Sequence, residues 1–246
     1  MGGYIRILLY VIIAVSLVAA DVSAADITSG LLAYWILDDD VKDSVGGHDG
    51  VLVGGAEFVR DDDRGKVLEV DGVDGHAVVP HSADIVFANT DSYTLSVWVN
   101  VLTVPGHWAG IVDKSRDISP WYGLWINSSN QWVGGGTNII GSVVETNAWI
   151  HLALVQDAGT NRRLVYVNGE VNTQGTAISS TGSGELWMGG AKSLSEYLHG
   201  RIDDVAIYGR ALSADDIKAL AQGADILGFA VEPHAKFASL WSAIRQ

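Results

Sequence analysis

The feature that most constrains this chain is a rhythm. From Leu31 onward, short apolar segments alternate with clusters of Gly, Asp, Asn and Ser. Segments this short, bounded by turn residues, suit strands rather than core helices. Residues 93–101 show the pattern clearly: Leu95, Val97 and Val99 alternate with Ser96, Trp98 and Asn100. That period of two gives a strand two different faces. The same reading predicts strands over 31–37, 66–70, 76–79, 110–114, 122–126, 131–134, 149–156, 164–167, 186–189 and 201–208. Asn168-Gly169 marks a hairpin, because a type I′ turn needs two residues that tolerate positive φ. About a dozen strands in roughly 200 residues, with no helices between them, imply two stacked sheets or a barrel.

The two helical signals lie toward the C-terminus. Ser213 precedes Ala214-Asp215-Asp216, an N-cap with acids in the first turn, and the helix should stop near Gly223. Residues 235–245 place Phe237, Leu240, Trp241 and Ile244 on one stripe, just after Pro233. This amphipathic tail is expected to dock on the sandwich, with partner binding or export as the alternative. At the other end, Arg6 precedes an apolar run over 7–20 interrupted by Ser16, and Val22-Ser23-Ala24 follows. That is a signal peptide, residues 1–24, with an uncleaved anchor as the alternative. Its run is short for a membrane span and no second run follows, so no span is expected after cleavage. The chain is therefore expected to be secreted, whether extracellular, at the cell surface or periplasmic. No internal repeat or low-complexity linker is visible, which leaves one domain over 25–224 and a tail over 225–246.

Charge and cysteine content exclude several chemistries. There are 29 acidic and 15 basic residues, a formal net charge of −14. Nucleic acid needs clustered Lys and Arg on phosphate, so it is not an expected partner. Divalent cations suit such a surface, and so does plain solubility through self-repulsion. The absence of cysteine excludes disulfides, thiolate metal sites and cysteine nucleophiles.

Several blocks, taken together, point to a family. They are Gly30-Leu31-Leu32-Ala33-Tyr34-Trp35-Ile36-Leu37-Asp38 with Asp43-Ser44 and Gly47-His48-Asp49-Gly50, then the run from Val70 to Pro80, and Tyr93-Thr94-Leu95-Ser96-Val97-Trp98-Val99. Trp149-Ile150-His151-Leu152-Ala153, Val165-Tyr166-Val167-Asn168-Gly169 and the run from Gly200 to Tyr208 follow in order, and Arg210-Ala211-Leu212-Ser213 comes after them. Over about 30–223 the chain resembles bacterial laminin-G-like domains of the concanavalin A-like lectin/glucanase superfamily. The resemblance implies an all-β jelly-roll sandwich of two curved antiparallel sheets, with a concave face that often carries a ligand. The fold hosts lectins, adhesion modules, glycosidases and structural domains, so it does not choose among them.

The residues give three functional expectations. For hydrolysis, related glucanases carry acids at alternate positions of a strand, and two nearby carboxylates act as nucleophile and acid/base. The nearest match here is Glu69 and Asp71, in what is also an ordinary turn. For calcium, loops rich in Asp and Gly offer hard oxygen ligands. Parity places Asp203 on the side of Val205 and Ile207, where a carboxylate needs a partner. The resemblance to calcium-binding glucanases implicates Asp203, with Asp38 and Asp49 as further ligands; an arginine or backbone donor would satisfy Asp203 equally. For binding, nine Trp are available. Trp35, Trp98, Trp149 and Trp187 fall in blocks where the family buries an aromatic. Trp108, Trp121, Trp125 and Trp132 form the candidate ligand face: Tyr122, Leu124 and Ile126 should face the core, turning Trp121 and Trp125 outward. Exposed clustered Trp signals a ligand or partner. The chain thus reads as a secreted, non-catalytic module for glycan or a cell-surface or matrix protein, on a concave Trp face. The alternatives are an adhesion domain assembling with protein partners, and a glycoside hydrolase.

Overall fold

Alternating side chains need a wall on each side, and the chain supplies two antiparallel sheets that press their inner faces together. The computed structural model describes residues 27–115, 121–136, 139–177, 183–192, 196–223 and 226. The expected signal peptide and the expected helix over 235–245 lie outside the described residues.

Strands are numbered along the chain. One sheet has eight strands, ordered β13 (Glu170–Thr176), β12 (Arg162–Val167), β11 (Trp149–Asp157), β6 (Tyr93–Thr103), β15 (His199–Tyr208), β4 (Gly65–Asp71) and β3 (Glu57–Asp61), with β1 (Leu31–Trp35) also paired to β15. The other has seven, ordered β10 (Ile139–Val143), β9 (Gln131–Gly134), β8 (Tyr122–Ile126), β7 (Ala109–Lys114), β14 (Leu186–Met188), β5 (His76–Val79) and β2 (Val51–Val53). Neighbours such as β6 and β15 are distant in sequence, as the crossovers of a jelly roll require.

Every predicted strand is present. The four strands that the apolar rhythm does not announce are β2, β3, β10 and β13, and each ends one of the two strand orders. An edge strand has solvent along one side and is often polar, which blunts the periodic signal. β13 shows this, with no fully buried residue along its length.

The core between the sheets takes the inward residues of both. Val97, Val99, Leu152, Leu154, Ile202 and Val205 meet Ile111, Leu124, Ile126, Trp132 and Met188 there. Trp35 is completely buried among them, and its indole N–H donates to the His48 carbonyl at 2.8 Å. The Asn168-Gly169 turn takes φ of 49° and 85°, the double positive φ that a type I′ hairpin demands. The helix α1 (Ala214–Ala221) opens on a reciprocal capping box between Ser213 and Asp216. Its Ile217 and Leu220 pack on Tyr34, Ala153, Tyr166 and Tyr208, on the outer face of the eight-stranded sheet.

A bulge in β15 breaks simple parity at Asp203–Asp204. In β15 the pairing register with β6 shifts between Asp203 and Ala206, and Asp204 adopts a φ of 50°. This β-bulge inserts a residue, so Ile202 and Val205 both face the core while Asp203 faces out with its partner Trp98. The expectation that Asp203 shares a side with Val205 and Ile207 is corrected accordingly.

Candidate functional site

Both outer faces carry tryptophan, in different company. On the eight-stranded sheet, Trp98 and Trp149 are half-buried rather than part of the core, contrary to the expectation for those two residues. The Arg64 guanidinium lies between them, 4.4 Å from the Trp98 ring centre and 5.3 Å from that of Trp149. Its Nε donates to Asp203 Oδ2 at 2.7 Å, and its Nη2 pairs with Asp204. Tyr34 donates its hydroxyl to Asp204 as well. Beside them, Trp149 Nε1 donates to Asp61 at 3.0 Å, while Arg201 binds Asp61 and Glu69 at 2.9 and 2.7 Å. Fully buried Asp203 is thus held by an arginine. His151 packs 5.3 Å from Trp98, with Nε2 at 2.9 Å from Ser96 Oγ. Burial first, and then the charge of Arg64, hold its imidazole down to about 3.

The carboxylate pair considered for hydrolysis is otherwise occupied. Asp71 Oδ1 accepts from the backbone N–H of Val73, Asp74 and Gly75, closing the turn, and Glu69 is bound by Arg201. Nor does the structure gather the three expected calcium ligands. Asp49 is exposed and accepts from the Asp43 N–H at 3.0 Å, and Asp38 is half-buried. Among the described residues, no three His, Asp or Glu side chains group as metal ligands.

The outer face of the seven-stranded sheet is built differently. Trp125 pairs with Val133 across β8 and β9 on this face, as parity requires, whereas Trp132 pairs with Ile126 and turns into the core. Trp132 therefore does not belong to an outer face. Trp125 and Trp121 do, but they are 0% and 9% exposed, so they form no open shelf. Their rings meet edge to face with centres 5.2 Å apart, and Trp108 meets Trp125 at 6.5 Å. Glycine permits this nesting: a Cβ on Gly135 would sit 2.0 Å from the Trp121 ring, and one on Gly123 would sit 2.9 Å from Trp125 Nε1.

The cover comes from the segment after β14. Gly189 N–H bonds to the Ile111 carbonyl and Gly110 N–H to that of Glu196, so both residues lie against β7. There Ala191 joins the Trp121–Trp125 cluster. A Cβ on Gly110 would meet the Gly190 carbonyl at 2.4 Å, so the close approach depends on glycine. Parity along β8 can show which side of the sheet a ring takes, not what lies over it.

On the other flank of this segment sits a more open group. Trp187 alternates with core residues Leu186 and Met188 and projects outward, half-buried. It stacks on His76 with ring centres 3.9 Å apart and planes 13° apart. Tyr197 lies over Gly190 with its ring centre 5.7 Å from His76. Trp187 Nε1 donates to Glu185 Oε2 at 3.2 Å, and Lys192 reaches the same oxygen at 3.2 Å. The Trp187 N–H first, then Lys192, hold the Glu185 carboxyl below its ordinary value. Sequence reading assigned Trp187 to the core, yet its place between two core residues was the signal that it points out. His76, Tyr197, Glu185 and Lys192 had no such signal, because β5, β14 and the covering segment bring them together.

Residues 71–218 match the Laminin_G_3 family model, described as concanavalin A-like lectin/glucanases superfamily. No curated protein matches the chain. Among solved structures, the binding domain of Paraclostridial Mosquitocidal Protein 1 superposes with a TM-score of 0.66 at 16% identity, covering 79% of this chain and 52% of that one. Domain 4 of AbnA, an extracellular arabinanase from Geobacillus stearothermophilus, was solved in complex with arabinotriose. It gives 0.62 at 23% identity, covering 78% of this chain and 98% of that one. The Trypanosoma rangeli sialidase gives 0.62 at 19%, covering 79% and 33%. The chain thus spans about half of the first and a third of the last. At these identities the likeness is one of fold.

Proposed function

The chain belongs to the Laminin_G_3 family of the concanavalin A-like lectin/glucanases superfamily, and from that premise we propose that it is a carbohydrate-binding module. The proposal places it outside the cytoplasm, released there by the signal peptide read over residues 1–24, and gives it no catalytic role. Its ligand face is the outer side of the seven-stranded sheet, centred on Trp187. The observation that carries this reading is the half-buried Trp187 ring, stacked on His76, with Tyr197 alongside and Glu185 and Lys192 at its polar edge. A flat ring takes the apolar face of a sugar, and neighbouring charged groups take its hydroxyls. Trp108, half-buried, extends the face on the far side of the covering segment, and Trp121 and Trp125 are its foundation rather than its contact surface. The arabinanase domain solved with arabinotriose supports the choice of glycan over protein as ligand.

The test is a glycan-array screen of the full chain, with calcium and again with chelator, comparing wild type with Trp187→Ala. Retention of a glycan by the wild type and its loss in the variant is the expected result. Chelator-sensitive retention would add the expected calcium to the site. Retention indifferent to Trp187→Ala moves the ligand elsewhere, and no retention in either condition ends the glycan reading.

A further inference from the structure

We propose a second, separate site: a pocket for a divalent transition-metal ion, zinc by its donor set, built on His48 and Asp84. It is an open depression of about 310 Å³ lined by His48, Asp49, Pro80, His81, Ser82 and Asp84. Three observations converge on it.

The first is an oriented imidazole. His48 Nδ1 lies 2.6 Å from Asp43 Oδ2, and Asp43 is itself anchored by the backbone N–H groups of Tyr34, Val45, Gly46 and His48. A carboxylate bound to one ring nitrogen fixes the tautomer, leaving the other as a lone-pair donor; this is the usual support behind a metal-ligating histidine. Gly46 lies against the ring, since a Cβ there would come within 2.4 Å of Cε1.

The second is the orphaned atom. The His48 side chain is 6% exposed, and its Nε2 is buried without a hydrogen bond. The third is the spacing. The Asp84 carboxylate, on the 3-10 turn Ala83–Ile85, brings Oδ2 to 3.5 Å from Nε2. With zinc–ligand bonds of about 2.0–2.1 Å, two ligands of a tetrahedral site lie about 3.3 Å apart. A nitrogen and an oxygen at 3.5 Å with no hydrogen bond between them form nearly such an edge. One imidazole and one carboxylate suit zinc better than calcium, which takes oxygen alone. The remaining positions fall to water, since no third His, Asp or Glu side chain groups with these two among the described residues.

The experiment titrates chelator-treated full chain with zinc chloride by calorimetry, against calcium and magnesium as comparators. Wild type should take up one zinc ion per chain, with neither comparator giving saturable heat at this site. Asp84 has a side chain 74% exposed, so Asp84→Asn tests the site without touching the core. It should weaken zinc at least tenfold while the circular dichroism stays unchanged, and His48→Gln should abolish uptake. Absence of saturable zinc uptake, or uptake indifferent to Asp84→Asn, overturns the proposal. Neither result depends on the glycan face.

Discussion

The two outer faces of the sandwich hold tryptophans at comparable depth and use them oppositely. On the eight-stranded sheet, Trp98 and Trp149 flank Arg64, whose guanidinium is bound by Asp203 and Asp204. Their π-faces are already occupied by an internal cation. On the seven-stranded sheet, Trp187 meets His76 on one face and shares an edge with Glu185 and Lys192. A count of aromatic residues cannot separate these cases. What separates them is the partner: a guanidinium held between two rings and locked to two carboxylates on the first face, an imidazole stacked on one half-buried ring on the second, and the second is the face proposed for a ligand.

The sharpest way to break this contrast is to remove the internal cation. Arg64→Ala strips fully buried Asp203 of its guanidinium, and such a loss should cost about 3–5 kcal/mol in urea denaturation. Any glycan binding should survive in conditions where the variant stays folded. Loss of binding with stability unchanged would reverse the roles assigned to the two faces. A comparable stability cost, about 3–5 kcal/mol, is expected for Trp125→Ala, because this ring is completely buried. A variant as stable as wild type would mean that the ring is not packed as described.

The next effect is a pH dependence peculiar to the eight-stranded face. His151 has a folded value of about 3, below the ordinary 6.5, through burial and then Arg64. The unfolded chain therefore takes the proton first. The stability concerned is fully present above about pH 6.5 and is lost as pH falls toward 3, by up to about 1.4 kcal/mol per unit. Between pH 7 and 5 that amounts to about 2 kcal/mol, measurable by denaturation at each pH. His151→Gln should flatten the slope, and a slope unchanged in the variant would assign it to other groups.

The smallest effect sharpens the ligand side. Trp187→Ala should weaken glycan binding about tenfold, or 1.4 kcal/mol, with a smaller loss of stability than Trp149→Ala. Trp149→Ala should leave binding intact. Equal effects of the two variants on binding would erase the distinction between the faces.

Much of the fold was legible. The strand rhythm, the Asn168-Gly169 hairpin and the Ser213 cap are local, since each depends on residues near one another in sequence and on backbone preferences. The outward turn of Trp121 and Trp125 followed from the same period of two. The four edge strands were not legible, because one side of each faces solvent and no apolar repeat is enforced. Trp132 was misassigned because its own strand is too short to fix parity without its pairing to Ile126.

The sequence by itself determined the alternation of sides along most strands, and with it the sandwich, because burial of one face is a property of each strand taken alone. Only the tertiary structure decided three things that matter for the site. A single inserted residue at Asp203–Asp204 turned a carboxylate from the core side to the outer face, since parity breaks wherever one strand bulges against its neighbour. Ala191, beyond β14, came to pack against Trp121 and Trp125, while Trp187 and Trp108 stay half-buried on that face. And His48 met Asp84 across a pocket whose walls lie in separate segments of the chain. Each is a meeting of residues remote in sequence, set by packing between elements rather than by any local preference.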